Sequence, residues 1–458
     1  MERVDVFVIG GGGTGCDVTG ALASAGRRVA MAERDQLGGE CAHYGCDPTK
    51  AMLKAARVAA LARRASDFGI RIPSVEVDPP AVMARIRQMI EEETANGARP
   101  YEEAGARVFM QEAHLTGEHR VELADGTVFE ADRIVLATGS EPTAPPIPGL
   151  DGSGYWTNKE AIWHEGGLPS TLLVLGGGAI GVEFSQIYAR FGSSVTLIEA
   201  LPQILPAEDA DSAPALADAL VADGVHLHVG IKATNVERPH GRWRVTFEGS
   251  AHDVLEADAL IVATGRKPCF DGHDLGAAGV QLDPKGKPVL TDTLRTTAPQ
   301  IWAGGDATGE LLFTHVANHE AGIIVDDILG SPRQRDYRVV PKVTYSEPEV
   351  ASVGLTEAQA REQNDHVIVG RAAFAENSRS FIEGERAGHV KLVANGTTGE
   401  VLGGHIVGEH AGELIHEVVA VMAARTPIPA VAAAIHAYPT LAETVRAAFG
   451  HLAAKIGS

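Results

Sequence analysis

One short pattern occurs twice in the 458 residues, and it leaves the chain little freedom in how it folds. Val4-Asp5-Val6-Phe7-Val8-Ile9 is an apolar β-type run that enters Gly10-Gly11-Gly12-Gly13-Thr14-Gly15. A helical stretch to Ala25 follows, then a strand over 28–32 that ends at Glu33. The strand over 172–175, the turn Gly176-Gly177-Gly178-Ala179-Ile180-Gly181 and the strand over 195–198 ending at Glu199 repeat it. In both copies the acid lies 23 positions after the first glycine. Glycines at such a turn let backbone amides approach a pyrophosphate at a helix N-terminus, and the strand-end carboxylate accepts from a ribose diol. The strand over 133–137 that runs into Thr138-Gly139-Ser140 is also echoed, by 260–263 running into Thr264-Gly265. Two dinucleotide sites require two nucleotide cofactors, or one cofactor and one nucleotide substrate. At the second site Glu199 would pair with a free ribose hydroxyl and repel a 2′-phosphate. The next residues, Ala200-Leu201-Pro202-Gln203-Ile204-Leu205, include no Arg or Lys to hold such a phosphate, so NADH is expected over NADPH.

Between the two copies lies Gly38-Gly39-Glu40-Cys41-Ala42-His43-Tyr44-Gly45-Cys46-Asp47-Pro48-Thr49-Lys50. It holds two of the four cysteines, five residues apart, ahead of a helical run over 51–65. A dithiol stores an electron pair reversibly as a disulfide. On a regular helix this spacing rises ~7.5 Å, beyond the roughly 7 Å that a disulfide tolerates between Cα atoms. The backbone is therefore expected to leave the helix at Gly45, with Pro48 tolerated in the first turn of the next one. Thiols at a helix N-terminus have lowered pKa values. Cys41 and Cys46 read as a redox pair, and Cys16 as a small core residue.

The length suffices for about three domains. A formal net charge of −21 argues against nucleic acid or an anionic membrane as partner. There is no uninterrupted 18-residue apolar window and no basic, then apolar, leader, so the chain reads as cytoplasmic rather than secreted or membrane-spanning. A Pro-rich run over 142–148 marks a boundary. Ile301-Trp302-Ala303-Gly304-Gly305-Asp306 is another strand running into glycines, and its carboxylate suits a sugar or ribitol hydroxyl. The helix over 313–328 carries His315 and His319 without a matching ligand set, so no metal site is expected. From about 340 the texture becomes α+β, with strands near 342–345, 372, 389–393 and 402–407, and helices over 411–424 and 428–436. This region ends in the stretch His436-Ala437-Tyr438-Pro439-Thr440-Leu441-Ala442-Glu443.

Together these motifs resemble the FAD-dependent pyridine nucleotide–disulfide oxidoreductases over nearly the whole chain. The resemblance implies an α/β fold of two Rossmann-like dinucleotide-binding domains, for FAD and NAD, plus an α+β C-terminal dimerisation domain. The FAD domain would take 1–150 and 266–335, the NAD domain 151–265, and the interface domain 336–458. It implies that Gly10, Gly12, Gly15, Glu33, Thr138, Gly139, Gly305 and Asp306 hold FAD, and that Gly176, Gly178, Gly181, Glu199 and Gly265 hold the nicotinamide nucleotide. Cys46 matches the thiol beside the flavin and Cys41 the interchange thiol facing substrate, while Lys50 and Glu183 match a pair placed near the flavin ring. Electrons would pass from NADH through FAD to the Cys41–Cys46 disulfide, then to a small-molecule disulfide or thiol-bound metal acceptor, in a homodimer whose active site is shared.

The resemblance fails at one position. Lipoamide and glutathione reductases carry, immediately before Pro-Thr, a His that serves as acid-base catalyst, with Glu five residues later. Here that position is Tyr438, with Glu443 in place. A phenol titrating near pH ~10 is a poor proton shuttle at neutral pH. His436, two residues earlier, shares its side if the segment is extended. Mercuric reductases and soluble transhydrogenases are similar in carrying Tyr there. Transhydrogenase lacks one of the two cysteines, and the tail Lys455-Ile456-Gly457-Ser458 has no cysteine pair such as delivers Hg(II). A dihydrolipoamide dehydrogenase-like reductase is the leading expectation. Beside it stand a mercuric reductase-like metal reductase, an NADH diaphorase or transhydrogenase, and a flavin-bound redox sensor.

Overall fold

The computed structural model describes residues 1–248 and 254–456; 249–253, within the expected NAD domain, and Gly457 and Ser458 of the tail lie outside them. The first strand, β1 (Glu2–Ile9), packs Phe7 and Ile9 into one core and Val6 and Val8 into another. Burial on both faces suits the centre of a parallel sheet. α1 (Gly13–Ser24) and β2 (Val29–Glu33) complete the first repeat unit. α2 (Gly39–Tyr44) and α3 (Cys46–Arg63) carry the two cysteines. The segment that follows holds α4 (Pro79–Thr94) and α5 (Arg99–Glu103). Gly97 between them has φ +49°, which no helix interior allows. Then come β3 (Arg107–Met110), β4 (Ala113–Gly117), β5 (Arg120–Leu123), β6 (Val128–Leu136) and β7 (Ser140–Pro142).

α6 (Asn158–Trp163) precedes the second repeat unit, β8 (Thr171–Leu175), α7 (Ala179–Phe191) and β9 (Ser194–Glu199). α8 (Ser212–Ala222) leads into β10 (His226–Val229), the antiparallel run β11 (Lys232–Glu237), β12 (Trp243–Glu248) and β13 (Val254–Ala257), and then β14 (Ala259–Val262). β15 (Arg266–Pro268), β16 (Ile301–Ala303) and α9 (Thr314–Ile328) follow. The last third comprises β17 (Pro341–Thr344), β18 (Glu349–Gly354), α10 (Glu357–Gln363), β19 (Val367–Ala373), α11 (Ser378–Glu383), β20 (His389–Asn395), β21 (Val401–Gly408), α12 (Ala411–Ala424), α13 (Ile428–Ala432) and α14 (Ala442–Ala453). The helix expected over 428–436 stops at Ala432, in a segment bounded by Pro427, Pro429 and Pro439, whose rings limit helical continuation. Elements that were not expected include β4, β10 to β13, β18, α6, α8, α10, α11 and α14.

Contacts gather the chain into two compact units. The first is Met1–Ala51, Pro80–Thr143 and Gly265–Asp336; the second is Met52–Pro79, Ala144–Thr264 and Tyr337–Ser458. In the first unit the sheet order is β3-β2-β1-β6-β5-β4, with β16 beside β6. β6 serves two neighbours, since its first residues pair antiparallel with β5 and Ile134, Val135 and Leu136 pair parallel with β16. β3, β2, β1, β6 and β16 are thereby parallel and carry the first glycine turn at their C-terminal edge, where such sheets bind ligands. The second unit holds a parallel sheet, β10-β9-β8-β14, and a five-stranded antiparallel sheet, β17-β18-β21-β20-β19. α12 and α14 cover the latter with Ile415, Val418, Val445, Ala448, Phe449 and Leu452. Among the described residues no helix is long and apolar enough to cross a membrane.

Candidate functional site

The two glycine turns are built alike, bond for bond. Gly10 has φ +104° and Gly176 φ +109°, and a Cβ at either would meet the Ala137 or Ala263 carbonyl at 2.2 or 2.4 Å. Gly15 and Gly181 press on the carbonyls of Gly10 and Gly176, at 1.9 and 1.8 Å from a hypothetical Cβ. These four positions admit only glycine. Gly12 and Gly178 face open space within 4 Å, at the starts of α1 and α7, where a phosphate would approach. Glu33 accepts from the amides of Gly11 (2.6 Å) and Asp35 (2.7 Å), and Glu199 from those of Gly177 (2.6 Å) and Leu201 (2.7 Å). Each carboxylate oxygen keeps a lone pair for a ribose hydroxyl.

Around the first turn, Gly139 (φ +72°) and Gly305 (φ +66°) complete the rim, and the Thr138 hydroxyl is buried with no hydrogen-bond partner among the described residues. Asp306 accepts from Ser140 Oγ at 2.6 Å; burial pushes its carboxyl up, and that hydrogen bond opposes the rise. Arg266 donates to Ser140 Oγ (2.8 Å) and carbonyl (2.9 Å), and pairs with Glu40 at 3.2 Å. The fully buried Glu320 of α9 accepts the Gly305 amide at 2.6 Å. A cradle that any Cβ would fill, a paired strand-end acid and an orphaned hydroxyl together fit a dinucleotide. At the second turn Gly265 has φ +148°.

The cysteine segment breaks where the spacing requires. α2 ends at Gly45 (φ −134°, ψ −107°), whose Cβ, if present, would lie 2.9 Å from the Glu40 carbonyl. α3 starts directly at Cys46, earlier than the helix expected from 51, because Pro48 fits its first turn and the Thr49 amide reaches back to Gly45 at 3.2 Å. Both residues are free thiols. Thr314, the first residue of α9, donates its hydroxyl proton to Cys41 Sγ at 3.0 Å and lies 3.7 Å from Cys46 Sγ. A hydrogen bond from Cys41 draws the Cys46 thiol down to about 6 against the pull of burial, with Lys50 adding its positive charge. The same hydrogen bond, and then burial, push Cys41 up. One thiolate and one thiol side by side suit thiol–disulfide exchange.

The remaining expected residues lie in the second unit. Glu183 is buried in α7 and accepts the Tyr345 amide at 2.9 Å. Tyr438 is 74% exposed, and its phenol donates to Ser378 Oγ at 3.3 Å. Residues 434–440 form no strand. His436 instead turns to Glu417 (3.1 Å) with its side chain only 13% exposed, while Glu443 accepts the Thr440 amide at 3.3 Å. Thr314, Ser140, Arg266 and Glu320 were not singled out from sequence. Only the glycine-bounded strand ends at Ser140 and Arg266 offered a signal.

Two family models match the chain. One, described as pyridine nucleotide-disulphide oxidoreductase, covers residues 4–321, and the dimerisation domain of the same family covers 340–449. A dihydrolipoyl dehydrogenase of Chlorobaculum tepidum is 38% identical over 457 residues, spanning 97% of this chain and 96% of that protein. The HOCl-induced flavoprotein disulfide reductase RclA from Escherichia coli superposes with a TM-score of 0.87 at 28% identity, covering 97% of this chain and 99% of that one. A Cu(II) complex of RclA gives 0.88 at 29% identity, covering 98% and 99%.

Proposed function

Because this chain belongs to the pyridine nucleotide-disulphide oxidoreductases, FAD-dependent enzymes that move electrons between a nicotinamide nucleotide and a disulfide, we propose a specific path through its residues. Electrons enter from NADH and leave through the Cys41–Cys46 pair to a low-molecular-weight disulfide. The observation that carries this reading is the pair of free thiols on α2 and at the start of α3, 3.0 and 3.7 Å from the one Thr314 hydroxyl, in surroundings that lower Cys46 and raise Cys41.

Gly10, Gly12, Gly15, Glu33, Thr138, Gly139, Gly305 and Asp306 bind FAD in this reading, within 1–150 and 266–335. Gly176, Gly178, Gly181, Glu199 and Gly265 bind NADH, within 151–265. Glu199 supports NADH over NADPH, because its carboxylate sits where a 2′-phosphate would be repelled. FAD, when bound, carries the electron pair between the nicotinamide and the dithiol. Lys50 favours the Cys46 thiolate, and Glu183 holds α7 beside the 344–345 backbone. Cys41 then attacks the acceptor. The chain carries the family's dimerisation domain, and we assign 336–458 to it; in the homodimer the Tyr438 to Glu443 segment of the partner completes each active site.

Tyr438 favours a second reading of the acceptor. Without a His at that position, departing thiols receive their protons poorly, and a thiol-bound soft metal ion, whose reduction needs no such proton, becomes the better substrate. The Cu(II) complex recorded for the neighbour RclA supports this alternative. The test is NADH consumption by purified protein with oxidised lipoamide, oxidised glutathione or thiol-buffered metal ions, against an oxygen-only blank. Turnover on a disulfide supports the first reading, and turnover on metal alone the second. Consumption no faster than the blank with every acceptor would refute both.

A further inference from the structure

Thr314 stands 273 residues from Cys41 in sequence and touches both sulfurs. It is held there firmly. α9 accepts the Thr14 hydroxyl on its Ala317 carbonyl at 3.0 Å and the Gly305 amide on Glu320 at 2.6 Å, so the helix that supports the first glycine turn also sets this hydroxyl. A hydroxyl has a single proton to donate and rotates to the better acceptor.

The groups around the two thiols are unequal. Cys46 has the Cys41 hydrogen bond, Lys50 and the more distant Thr314 hydroxyl (3.7 Å, against 3.0 Å to Cys41) favouring its ionised form, with burial and Asp47 against it. Cys41 has the Cys46 hydrogen bond, burial and Asp47 all opposing ionisation, and the Thr314 bond acting the other way. Cys41 is nevertheless the sulfur that must lose its proton before it can attack.

We propose that Thr314 is a catalytic residue of the dithiol, its hydroxyl donating to Cys41 Sγ and stabilising the charge that develops there during attack. This rests on the reading of Cys41 as the interchange thiol. In the step, Cys41 sulfur bonds to one sulfur of the acceptor disulfide, the acceptor S–S bond breaks, and the proton lost by Cys41 ends on the departing thiolate. Cys46 then attacks Cys41, forming the internal disulfide and releasing the second thiolate, which takes its proton from solvent. The dithiol is oxidised and the acceptor disulfide reduced.

The test uses holoprotein carrying Cys46→Ser, so that the Cys46 thiolate cannot take the label, reduced with excess dithiol, desalted, and alkylated with iodoacetamide across a pH series, with mass mapping of the labelled cysteine. In this background Thr314→Val keeps the side-chain shape and removes the donor. It should slow Cys41 labelling about tenfold at neutral pH and move its profile to higher pH, and Thr314→Ser should restore the parent profile. A Thr314→Val profile that overlays the parent, with the label still on Cys41, overturns the proposal. A Cys41→Ser protein whose Cys46 forms a mixed disulfide with an added aromatic disulfide as fast as Cys41 of the parent does would instead overturn the underlying reading of Cys41, and the proposal with it. Neither outcome depends on NADH or on the acceptor's identity.

Discussion

The carboxylate of Glu199 accepts the Gly177 amide at 2.6 Å, the same bond that Glu33 makes to Gly11 at the other turn. One carboxylate thereby fixes the glycine turn and keeps lone pairs free, which in the proposed reading accept from a ribose. Wild-type protein should use NADH with a kcat/KM at least about tenfold above NADPH, since a buried acid facing a 2′-phosphate is strongly unfavourable. Glu199→Ala should narrow that ratio while lowering NADH use. Steady-state kinetics with both nucleotides decides it, and a wild-type preference for NADPH would remove Glu199 from this role.

Tyr438 donates to Ser378 from a largely exposed position, and His436 is committed to Glu417. Tyr438→His should therefore raise the rate of lipoamide reduction, by tenfold or more within the ~10²–10⁴ range of acid-base contributions. His436→Gln should change it little. Both are read from acceptor-dependent NADH oxidation. A Tyr438→His rate equal to wild type would show that proton transfer at this position does not limit exchange.

The hydrogen bond from Cys41, with the charge of Lys50, draws the Cys46 thiol down to about 6, below the ordinary thiol value of about 8.5. Its thiolate is present above that pH and is lost as pH falls through it. The ultraviolet difference spectrum between reduced wild type and Cys46→Ser should show a transition near pH ~6. A transition at the ordinary thiol value would contradict the environment described for α3.

In the second unit Lys391 is buried among Asp209 (2.8 Å), Asp211 (2.6 Å) and Glu357 (2.7 Å). Burial works to raise Asp209, but the Lys391 hydrogen bond and the Glu357 amide outweigh it and hold the carboxyl at about 2. A lowered folded-state pKa contributes stability above the unfolded value of about 3.9, lost as pH falls through about 2. Lys391→Met should destabilise the protein by about 3–5 kcal/mol at neutral pH, because the carboxylates are left uncompensated. The deficit should shrink in acid, and denaturant titrations at both pH values measure it.

Sequence revealed what is local. Both glycine turns lie where a strand hands over to a helix within a few residues, and the backbone break at Gly45 followed from cysteine spacing alone. The Thr314, Ser140–Asp306 and Glu320 contacts join residues that only the sheet order brings together, and no local spacing encodes them. β4 and β18 are short strands without flanking glycine fingerprints. α14 was legible in principle from Val445, Ala448, Phe449 and Leu452 at helical spacing. Sequence places His436 and Tyr438 on one side only for an extended segment; the Pro-bounded stretch forms no strand, and each side chain has its own partner there.

In the proposed path electrons reach the acceptor through Cys46 and Cys41. The most direct measurement is acceptor-dependent NADH oxidation by Cys46→Ser holoprotein, at wild-type flavin content, with the acceptor that wild type uses best. Acceptor-dependent turnover should fall to the oxygen-only rate, with NADH-dependent bleaching of the flavin retained. Turnover equal to wild type would contradict it, and would mean that electrons leave without passing through the dithiol.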